Sequence, residues 1–361
     1  MNWSYSGDCW FAATIKNLAD SYKIHLQHLI SHCQNGRQGV TPSDFPLAAV
    51  AQSTLDVLYS QYSGLQDLYP LSPMQQGMLF HALYEASSGV YFEQMQLTLS
   101  NLEPTAFKAA WQHQLKLHPI LRSAFLTEPV LQVVQTEVPL LWREQDWRGM
   151  SSETQDLQLS ALLLKERSKG FDLSQAPLMR FDLIRLDEQR YAFIQHFHHI
   201  LMDGWCLPIT FSEVRDSYLA FKQGLTPQLP VPRPYRDYIA WLQQQDTAAA
   251  KQYWQQRLAG FMAETQLPIV NHKTENPDYR ETSYCLDVGS SQQLQRFCQA
   301  QRVTLNTLVQ GAWALLLSRY SRDQDVCFGV TVSGRQAPLS GIEKMIGLFI
   351  NTLPLRIDAN P

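Results

Sequence analysis

Two adjacent histidines, followed four residues later by a carboxylate, are the residues of this chain best suited to acid–base or metal chemistry. They lie in the segment His198-His199-Ile200-Leu201-Met202-Asp203-Gly204. The ordinary pKa of histidine, about 6.5, lets this side chain bind or release a proton near neutral pH. A carboxylate at this spacing, across a turn, can orient a histidine or hold the turn closed.

Three roles compete for this segment. The two histidines can belong to the hydrophobic core, beside an ordinary turn. They can contribute to a metal site, because His196 and His198 share one strand face with Asp203 nearby, and zinc accepts such a mixture of ligands. One histidine can also act as a general base or position a reacting group. The residues alone leave these three roles open.

A strand is predicted to carry the histidines, because Arg190 to His199 alternates in the manner of a strand. Successive side chains of a strand point to opposite faces. His198 and His199 therefore cannot do the same job, and one should face a cavity while the other faces the body of the protein. Gly204 is predicted to supply the backbone angles that a tight turn after the strand needs.

Strands and helices are interleaved along the rest of the chain, which predicts the mixed α/β class. The predicted strands are Trp3–Ser6 (the end of a strand), Tyr91–Leu99, Leu178–Leu186 paired with Arg190–His199, Thr282–Val288 and Asp325–Val332. The predicted helices are 10–34, Thr105–Leu117, Ile209–Lys222, Tyr235–Leu242, Ala249–Leu258, Gln292–Gln301 and Leu305–Tyr320.

Composition narrows the classes of partner. The chain has 361 residues, of which 45% are apolar and 17% charged, with a net charge of −4. This supports a sizeable core and provides no basic stripe for nucleic acid. The longest apolar run, Ala312–Leu317, is too short to span a bilayer, so no membrane association is expected. Six cysteines without a CxxC pair indicate reduced thiols and a cytoplasmic location.

The segment His198–Gly204 resembles the HHxxxDG signature of the condensation domains of nonribosomal peptide synthetases and their relatives. Four other segments resemble condensation motifs in the order of the family. They are Leu71–His81 (LSPMQQGMLFH), His118–Phe125 (HPILRSAF), Tyr235–Trp241 (YRDYIAW) and Ile346–Arg356 (IGLFINTLPLR). Leu117 departs from the family, because the second motif usually has its first arginine there.

The resemblance implies an α/β (α+β mixed) fold with two chloramphenicol-acetyltransferase-like halves, which form a V around a central tunnel. It also implies a domain order. The expected segments are 1–36, the C-terminal tail of a preceding epimerisation-type domain; 37–67, a linker; 68–226, the N-terminal half; 227–234, a crossover; and 235–361, the C-terminal half, truncated.

The resemblance also assigns roles to residues. His199 is expected to act at the reacting amine, as a base or a positioning group, while His198 packs inward and Asp203 and Gly204 complete the catalytic segment. Asp203 is expected in a structural ion pair, first with Arg122 and otherwise with Arg335. Residues expected at the tunnel and its substrate are Ser72, Gln75, Trp205, Ser333 and Asn351. No metal is expected.

The implied reaction is peptide-bond formation in nonribosomal peptide synthesis. An amine on a downstream peptidyl carrier protein attacks a thioester on an upstream one, and both substrates are presented on 4'-phosphopantetheine arms. No directly bound cofactor is expected. The wording of the first motif favours a donor with a D-residue. The expected partners are the two carrier proteins and the adjacent epimerisation and adenylation domains of the same synthetase.

Both ends of the chain resemble cuts within a longer synthetase. The fragment alone is therefore expected to be inactive. Two alternatives remain: an epimerisation domain of the same superfamily, and a non-catalytic scaffold or docking fragment. The wording of the first and fifth motifs disfavours the epimerisation domain. The intact His199 disfavours the scaffold, whereas the missing C-terminal end favours it.

Overall fold

The computed structural model describes residues 2–34, 39–84, 91–262, 264–267 and 282–359. The chain divides into two compact units, residues 1–63 and residues 64–361. The helices are α1 (Ala12–Gln34), α2 (Gln52–Gln61), α3 (Pro73–Tyr84), α4 (Pro104–Leu117), α5 (Ser152–Lys169), α6 (Cys206–Lys222), α7 (Arg236–Gln243), α8 (Thr247–Arg257), α9 (Val288–Gln301) and α10 (Leu305–Ser321). The strands are β1 (Leu65–Tyr69), β2 (Phe92–Ser100), β3 (Ser123–Thr127), β4 (Val130–Gln135), β5 (Trp142–Asp146), β6 (Met179–Arg185), β7 (Arg190–His198), β8 (Asp325–Val332) and β9 (Asn351–Asp358).

The first unit is helical in the residues described. The predicted strand end at Trp3–Ser6 is wrong: these residues lie outside regular structure, and the unit offers them no strand partner among its described residues. Positions 37 and 38 of the predicted linker lie outside the described residues, as does the predicted boundary after residue 36. The rest of that segment contains α2 and the beginning of β1, so regular structure starts earlier than predicted.

The second unit contains a four-stranded sheet of order β2-β7-β6-β5. β7 is antiparallel to both of its neighbours, and the edge strand β5 is parallel to β6. Every residue of β7 from Tyr191 to His198 is buried. A strand is buried on both faces only when other elements cover both sides of its sheet.

Aromatic side chains of α4 cover one face of β7. The Phe193 ring lies 4.9 Å from Phe107 and 5.5 Å from Trp111, measured between ring centroids. On the opposite face, Ile194 packs in a cluster with Trp147, against which Leu159 of α5 also packs. The segment His198–Gly204 therefore follows the most enclosed strand of the sheet.

A cluster of charged side chains lies on the α5 face, two residues before His198. His196 Nε2 lies 2.9 Å from Asp182 Oδ2, and both side chains are fully buried. Arg143 joins Asp182 to Glu166, each at 2.6 Å, and Arg180 pairs with Glu166 as well. Burial opposes ionisation of Asp182, but hydrogen bonds from His196 and Arg143 outweigh it and lower the pKa of this carboxyl. The cluster ties β5, β6, β7 and α5 together.

Two smaller sheets complete the second unit, an antiparallel sheet of order β1-β4-β3 and the antiparallel ribbon β8-β9. In the ribbon, Val326 packs with Ala314 and Leu317 of α10. The segment predicted as the crossover, 227–234, is a non-regular connection between α6 and α7. Its role as a divider of two halves stays a prediction, because residues 64–361 form one compact unit.

The predicted α/β class is confirmed, and most predicted elements are present within a few residues. One strand prediction in this unit, Thr282–Val288, is wrong. Val288 is the first residue of α9, and the Asp287 carboxylate accepts a hydrogen bond from the Ser290 N–H at 2.8 Å, as an N-cap does. Among the described residues, no helix is both long and apolar enough to cross a membrane.

Candidate active site

The segment after β7 is a tight turn whose backbone is held from several sides. The His198 N–H donates to Leu178 O at 3.0 Å, and the His199 N–H donates to Tyr91 O at 2.8 Å. Within the turn, the Leu201 N–H donates to His198 O at 3.1 Å. Tyr91 has a φ of 66°, a left-handed conformation that costs free energy for a residue with a side chain. That conformation places the carbonyl that holds His199.

His198 is buried, with 5% of its surface exposed. Its Nδ1 accepts a hydrogen bond from the Ile200 N–H at 3.2 Å, so its proton lies on Nε2. Burial, followed by the proximity of His199, lowers the pKa of His198 to about 4. His198 is therefore neutral near pH 7 and serves as part of the turn.

His199 is half-buried, and its environment differs from that of His198. Its Nδ1 is buried and has no hydrogen-bond partner among the described residues. No carboxylate of the described chain orients this ring, in contrast to a His–Asp catalytic dyad, where the acid fixes the tautomer. The ring of His199 is held through its backbone.

Asp203 does not contact His199, because both of its oxygens are bound elsewhere. Oδ2 accepts hydrogen bonds from the Phe349 N–H at 2.9 Å and the Ile350 N–H at 3.2 Å. Oδ1 accepts one from the Trp205 N–H at 3.1 Å. Only 1% of the residue is exposed. The carboxylate thus joins the turn to a segment 146 residues further along the chain.

The ion pair of Asp203 is formed with Arg335, whose Nη2 lies 3.5 Å from Oδ1. The first choice of partner, Arg122, is wrong. The Arg122 guanidinium donates to the carbonyls of Leu115 and Lys116 at the end of α4, and also to Gln135 O and Gln66 Oε1. It caps a helix instead, a role that suits a cation because helix ends leave carbonyls unsatisfied.

Two residues that were not predicted as site residues, Tyr235 and Cys206, hold residues 347–350, the segment to which Asp203 bonds. Tyr235 is 1% exposed, and its hydroxyl donates to Leu348 O at 2.6 Å. The Cys206 thiol donates to Gly347 O at 3.2 Å and accepts a hydrogen bond from Arg335 Nη2 at 3.1 Å. Burial, with the nearby Asp203 charge, raises the pKa of Cys206 to about 12, so it stays a thiol. Tyr235 lies in a segment already recognised as a motif, but nothing local indicates its partner.

The glycine of the turn has a different role from the one predicted. Gly204 does not have a left-handed φ, and a Cβ added there would meet nothing within 4 Å. The prediction that Gly204 supplies special backbone angles is therefore wrong. At Gly347, by contrast, packing does require a glycine, because a Cβ there would lie 2.1 Å from the Tyr235 ring. The hydrogen bond of the Tyr235 hydroxyl keeps that ring in place.

Two of the predicted substrate-binding residues are buried. Ser72 is 3% exposed and Gln75 is 0% exposed, and both make hydrogen bonds inside the protein. Neither presents a polar group to a substrate, which corrects their prediction as tunnel residues. Trp205 is 54% exposed beside the turn. Asn351 is exposed at the start of β9, where it faces Val332, the residue before Ser333. The roles of Trp205, Ser333 and Asn351 stay predictions.

The zinc hypothesis for His196, His198 and Asp203 requires three free ligands in one place. Instead, His196 pairs with Asp182 inside the protein, His198 Nδ1 accepts a backbone N–H, and Asp203 is saturated by N–H donors. No group of three or more metal-ligating side chains occurs in the part of the chain that the structure describes. The geometry favours a turn that presents one histidine.

Comparison with known proteins supplies the family. The model of the condensation-domain family matches residues 65–361. One of the linear gramicidin synthase proteins of Brevibacillus parabrevis is 39% identical over 368 residues, covering 100% of this chain and 5% of that protein. Bacitracin synthase 1 of Bacillus licheniformis is 35% identical over 364 residues, covering 98% of this chain and 7% of that protein. This chain thus spans a small part of the curated relatives it matches.

Solved structures share the fold. A chain in the complex of the X-domain and OxyB from teicoplanin biosynthesis matches with a TM-score of 0.69 at 25% identity, covering 81% of this chain and 65% of that chain. The first condensation domain of the calcium-dependent antibiotic synthetase, in complex with a substrate analogue, matches with a TM-score of 0.68 at 19% identity, covering 81% of this chain and 70% of that chain. On the extent of the family match and the identity to these synthetases, the chain belongs to the condensation-domain family.

Proposed function

We propose that this chain forms peptide bonds between two carrier-bound substrates in nonribosomal peptide synthesis. The amine nitrogen of the acceptor attacks the carbonyl carbon of the donor thioester and forms a C–N bond. The C–S bond then breaks, the donor carrier leaves as a thiol, and the amine loses one proton. The observation that carries this proposal is the half-buried His199 ring, held at the end of a buried strand beside a neutral, buried His198.

His199 is the residue that we propose at the reacting amine. Its ring has no carboxylate partner among the described residues, in contrast to the histidine of a His–Asp dyad, whose tautomer the acid fixes. This supports a positioning role, in which the ring holds the amine in line with the thioester. Positioning of two reactants accounts for large rate gains because it replaces a bimolecular encounter with an intramolecular one.

Asp203 and Arg335 act at a distance from the substrates in this proposal. They connect the turn to residues 347–350 and thereby fix where His199 lies. The partners follow from the reaction, and are an upstream and a downstream carrier protein, each with a 4'-phosphopantetheine arm. The adjacent epimerisation and adenylation domains belong to the same proposal. The donor is proposed to end in a D-residue, on the wording of the first motif (LSPMQQGMLFH).

The test compares the wild type with His199→Ala. Each protein is assayed with loaded carriers supplied in trans, and again within a complete synthetase module. We expect His199→Ala to lose dipeptide formation while both carriers still bind, because only the reacting centre changes. Undiminished dipeptide formation by the variant would refute the assignment. Donors carrying D- and L-residues, assayed in parallel, test the donor configuration, with faster transfer expected from the D-donor.

The pH profile of the same assay separates the two roles of His199. A positioning group leaves kcat governed by the amine of the acceptor, whereas a general base adds its own ionisation to the profile. We expect His199→Gln, which keeps a hydrogen-bonding group, to retain more activity than His199→Ala. Equal activities of these two variants would favour the base.

A further inference from the structure

We propose that Gln75 is a positioning residue for His199, and that it acts as a pair with Gln132. The proposal rests on the proposed function of His199. Gln75 lies on α3 and Gln132 on β4, 57 residues apart, and both are 0% exposed. Neither side chain can touch a substrate, so any effect on the reaction must pass through the protein.

The two side-chain amides bond to each other in both directions. Gln75 Nε2 donates to Gln132 Oε1 at 3.2 Å, and Gln132 Nε2 donates to Gln75 Oε1 at 2.9 Å. Each amide has one further N–H. That of Gln132 donates to Pro70 O at 3.1 Å, and that of Gln75 donates to Ile200 O at 3.1 Å. All four side-chain N–H groups of this amide pair are therefore used.

The orientation of both amides is fixed by the backbone around them. A carbonyl only accepts hydrogen bonds, so the amide nitrogen of Gln132 must face Pro70. A backbone N–H only donates, and that of Ser72 donates to Gln75 Oε1 at 2.9 Å. These two constraints leave the Gln75 nitrogen facing Ile200. A flip of either amide would place two donors or two acceptors against each other.

The bond to Ile200 O falls within the catalytic turn, one residue after His199. On the other side of Ile200, its N–H donates to His198 Nδ1 at 3.2 Å. Each of the two peptide units that flank Ile200 is thus held by one side chain. His198 holds the unit before Ile200, and Gln75 holds the unit after it. Without Gln75, the peptide unit after Ile200 loses its side-chain donor and gains freedom to rotate.

The peptide unit after Ile200 also contains the Leu201 N–H, which donates to the carbonyl between His198 and His199 at 3.1 Å. Rotation of this unit therefore shifts the backbone that carries the ring of His199. A displacement of about 1 Å at a reacting group can lower a rate by about 10²-fold. A buried and fully satisfied polar pair is suited to prevent this, since the low polarity around it strengthens each of its hydrogen bonds. The amide pair therefore links the first condensation motif, Leu71–His81, to the segment His198–Gly204.

The test replaces each glutamine with methionine, which has similar length and no hydrogen-bonding amide. Gln75→Met removes the donor to Ile200, whereas Gln132→Met leaves that donor in place and only loosens it. The matched control is Gln114→Met on α4. Gln114 is also 0% exposed, but its amide has no hydrogen-bond partner among the described residues.

Two measurements are made on each full-length variant. The first is kcat and KM for dipeptide formation with loaded carriers, and the second is the ¹⁵N resonance of the His199 ring, assigned with His199→Ala. We expect Gln75→Met to lower kcat on the order of 10²-fold with KM changed less than about twofold, and to shift the His199 resonance. Gln132→Met should show the same changes to a smaller extent, and Gln114→Met neither.

A folded Gln75→Met protein with wild-type kcat and an unshifted His199 resonance would overturn the proposal, as would a larger effect in Gln132→Met than in Gln75→Met. If Gln75→Met does not fold, the test rests on Gln132→Met. A shifted His199 resonance in that variant supports the role of the amide pair, and an unshifted one rejects it. A wild-type protein without condensation activity would reject the proposed function alone, because the resonance still reports whether Gln75 positions His199.

Discussion

Both ends of β7 carry an aspartate that accepts hydrogen bonds from backbone N–H groups, but their surroundings are opposite. At the start of the strand, Asp187 Oδ1 accepts from Gln189 N–H at 2.8 Å and from Arg190 N–H at 2.7 Å, and its side chain is 43% exposed. At the other end, Asp203 has 1% of its surface exposed. One carboxylate serves a local turn, and the other joins distant parts of the chain.

The difference lies in what can replace each carboxylate. Water can reach the N–H groups around Asp187 and satisfy them if the side chain is removed. Around Asp203, the N–H groups of Phe349 and Ile350 and the charge of Arg335 are enclosed, so no solvent takes over. The cost of losing a partner is set by the burial of the group that remains. The Asp203 end of the strand should therefore be much more sensitive to substitution.

The largest expected effect is on stability when Asp203 is changed to alanine. The substitution leaves three N–H groups without an acceptor and Arg335 without its counter-charge. Breaking a buried pair in this way typically costs about 3 to 5 kcal/mol. We expect Asp203→Ala to lower the free energy of unfolding by this amount, measured by urea denaturation with tryptophan fluorescence. Asp187→Ala is the control, and its unfolding midpoint should fall by less than that of Asp203→Ala. Equal midpoints for the two variants would contradict the comparison.

The next effect concerns the glycines on the two sides of the Asp203 contact. A methyl group at Gly347 would overlap the Tyr235 ring, whereas one at Gly204 meets nothing within 4 Å. Overpacking of this kind typically costs about 1 to 3 kcal/mol. We expect Gly347→Ala to be destabilised by about this amount and Gly204→Ala to unfold like the wild type, in the same denaturation experiment. A stable Gly347→Ala protein would show that Tyr235 moves aside.

Features that depend on neighbouring residues were predictable from the sequence. The strand predicted at Arg190–His199 matches β7 to within one residue, and the strand Asp325–Val332 is observed as predicted. The error at Thr282–Val288 is also local, since Asp287 carried the signal of a helix N-cap, which the strand interpretation missed. Local rules thus account for most elements of the fold.

Features that depend on distant residues were not predictable. Both Arg122 and Arg335 are far from Asp203 in sequence, and nothing in their neighbours tells which guanidinium reaches the carboxylate. The burial of Gln75 could not be predicted for the same reason, because it depends on how α3 packs against β4 and residue 200. The family motifs indicated which segments matter, and only their three-dimensional contacts separate positioning groups from substrate-binding ones.

The last expected effect is a dependence of the free energy of unfolding on pH that distinguishes the two ends of β7. In the unfolded chain His198 has a pKa near 6.5, which burial lowers to about 4 in the folded protein. Between these two pH values, His198 is protonated in the unfolded chain and neutral in the folded protein. The free energy of unfolding is therefore at its full value above pH 6.5 and falls as the pH decreases towards 4. The loss between about pH 7.5 and pH 5 is roughly 2 kcal/mol. His198→Asn, which keeps an acceptor for the Ile200 N–H and does not titrate, should lose this slope.

Asp187 provides the control for the pH experiment. Hydrogen bonds from Arg190, together with neighbouring backbone N–H groups, lower its pKa from 3.8 to about 2. Its contribution is therefore present above pH 3.8 and is lost only as the pH falls from there towards 2. Asp187→Asn should keep the wild-type slope between about pH 7.5 and pH 5, measured by urea denaturation at each pH, and differ only in the acid range. If His198→Asn instead retained the slope and Asp187→Asn lost it, burial of His198 would not be the cause of the pH dependence.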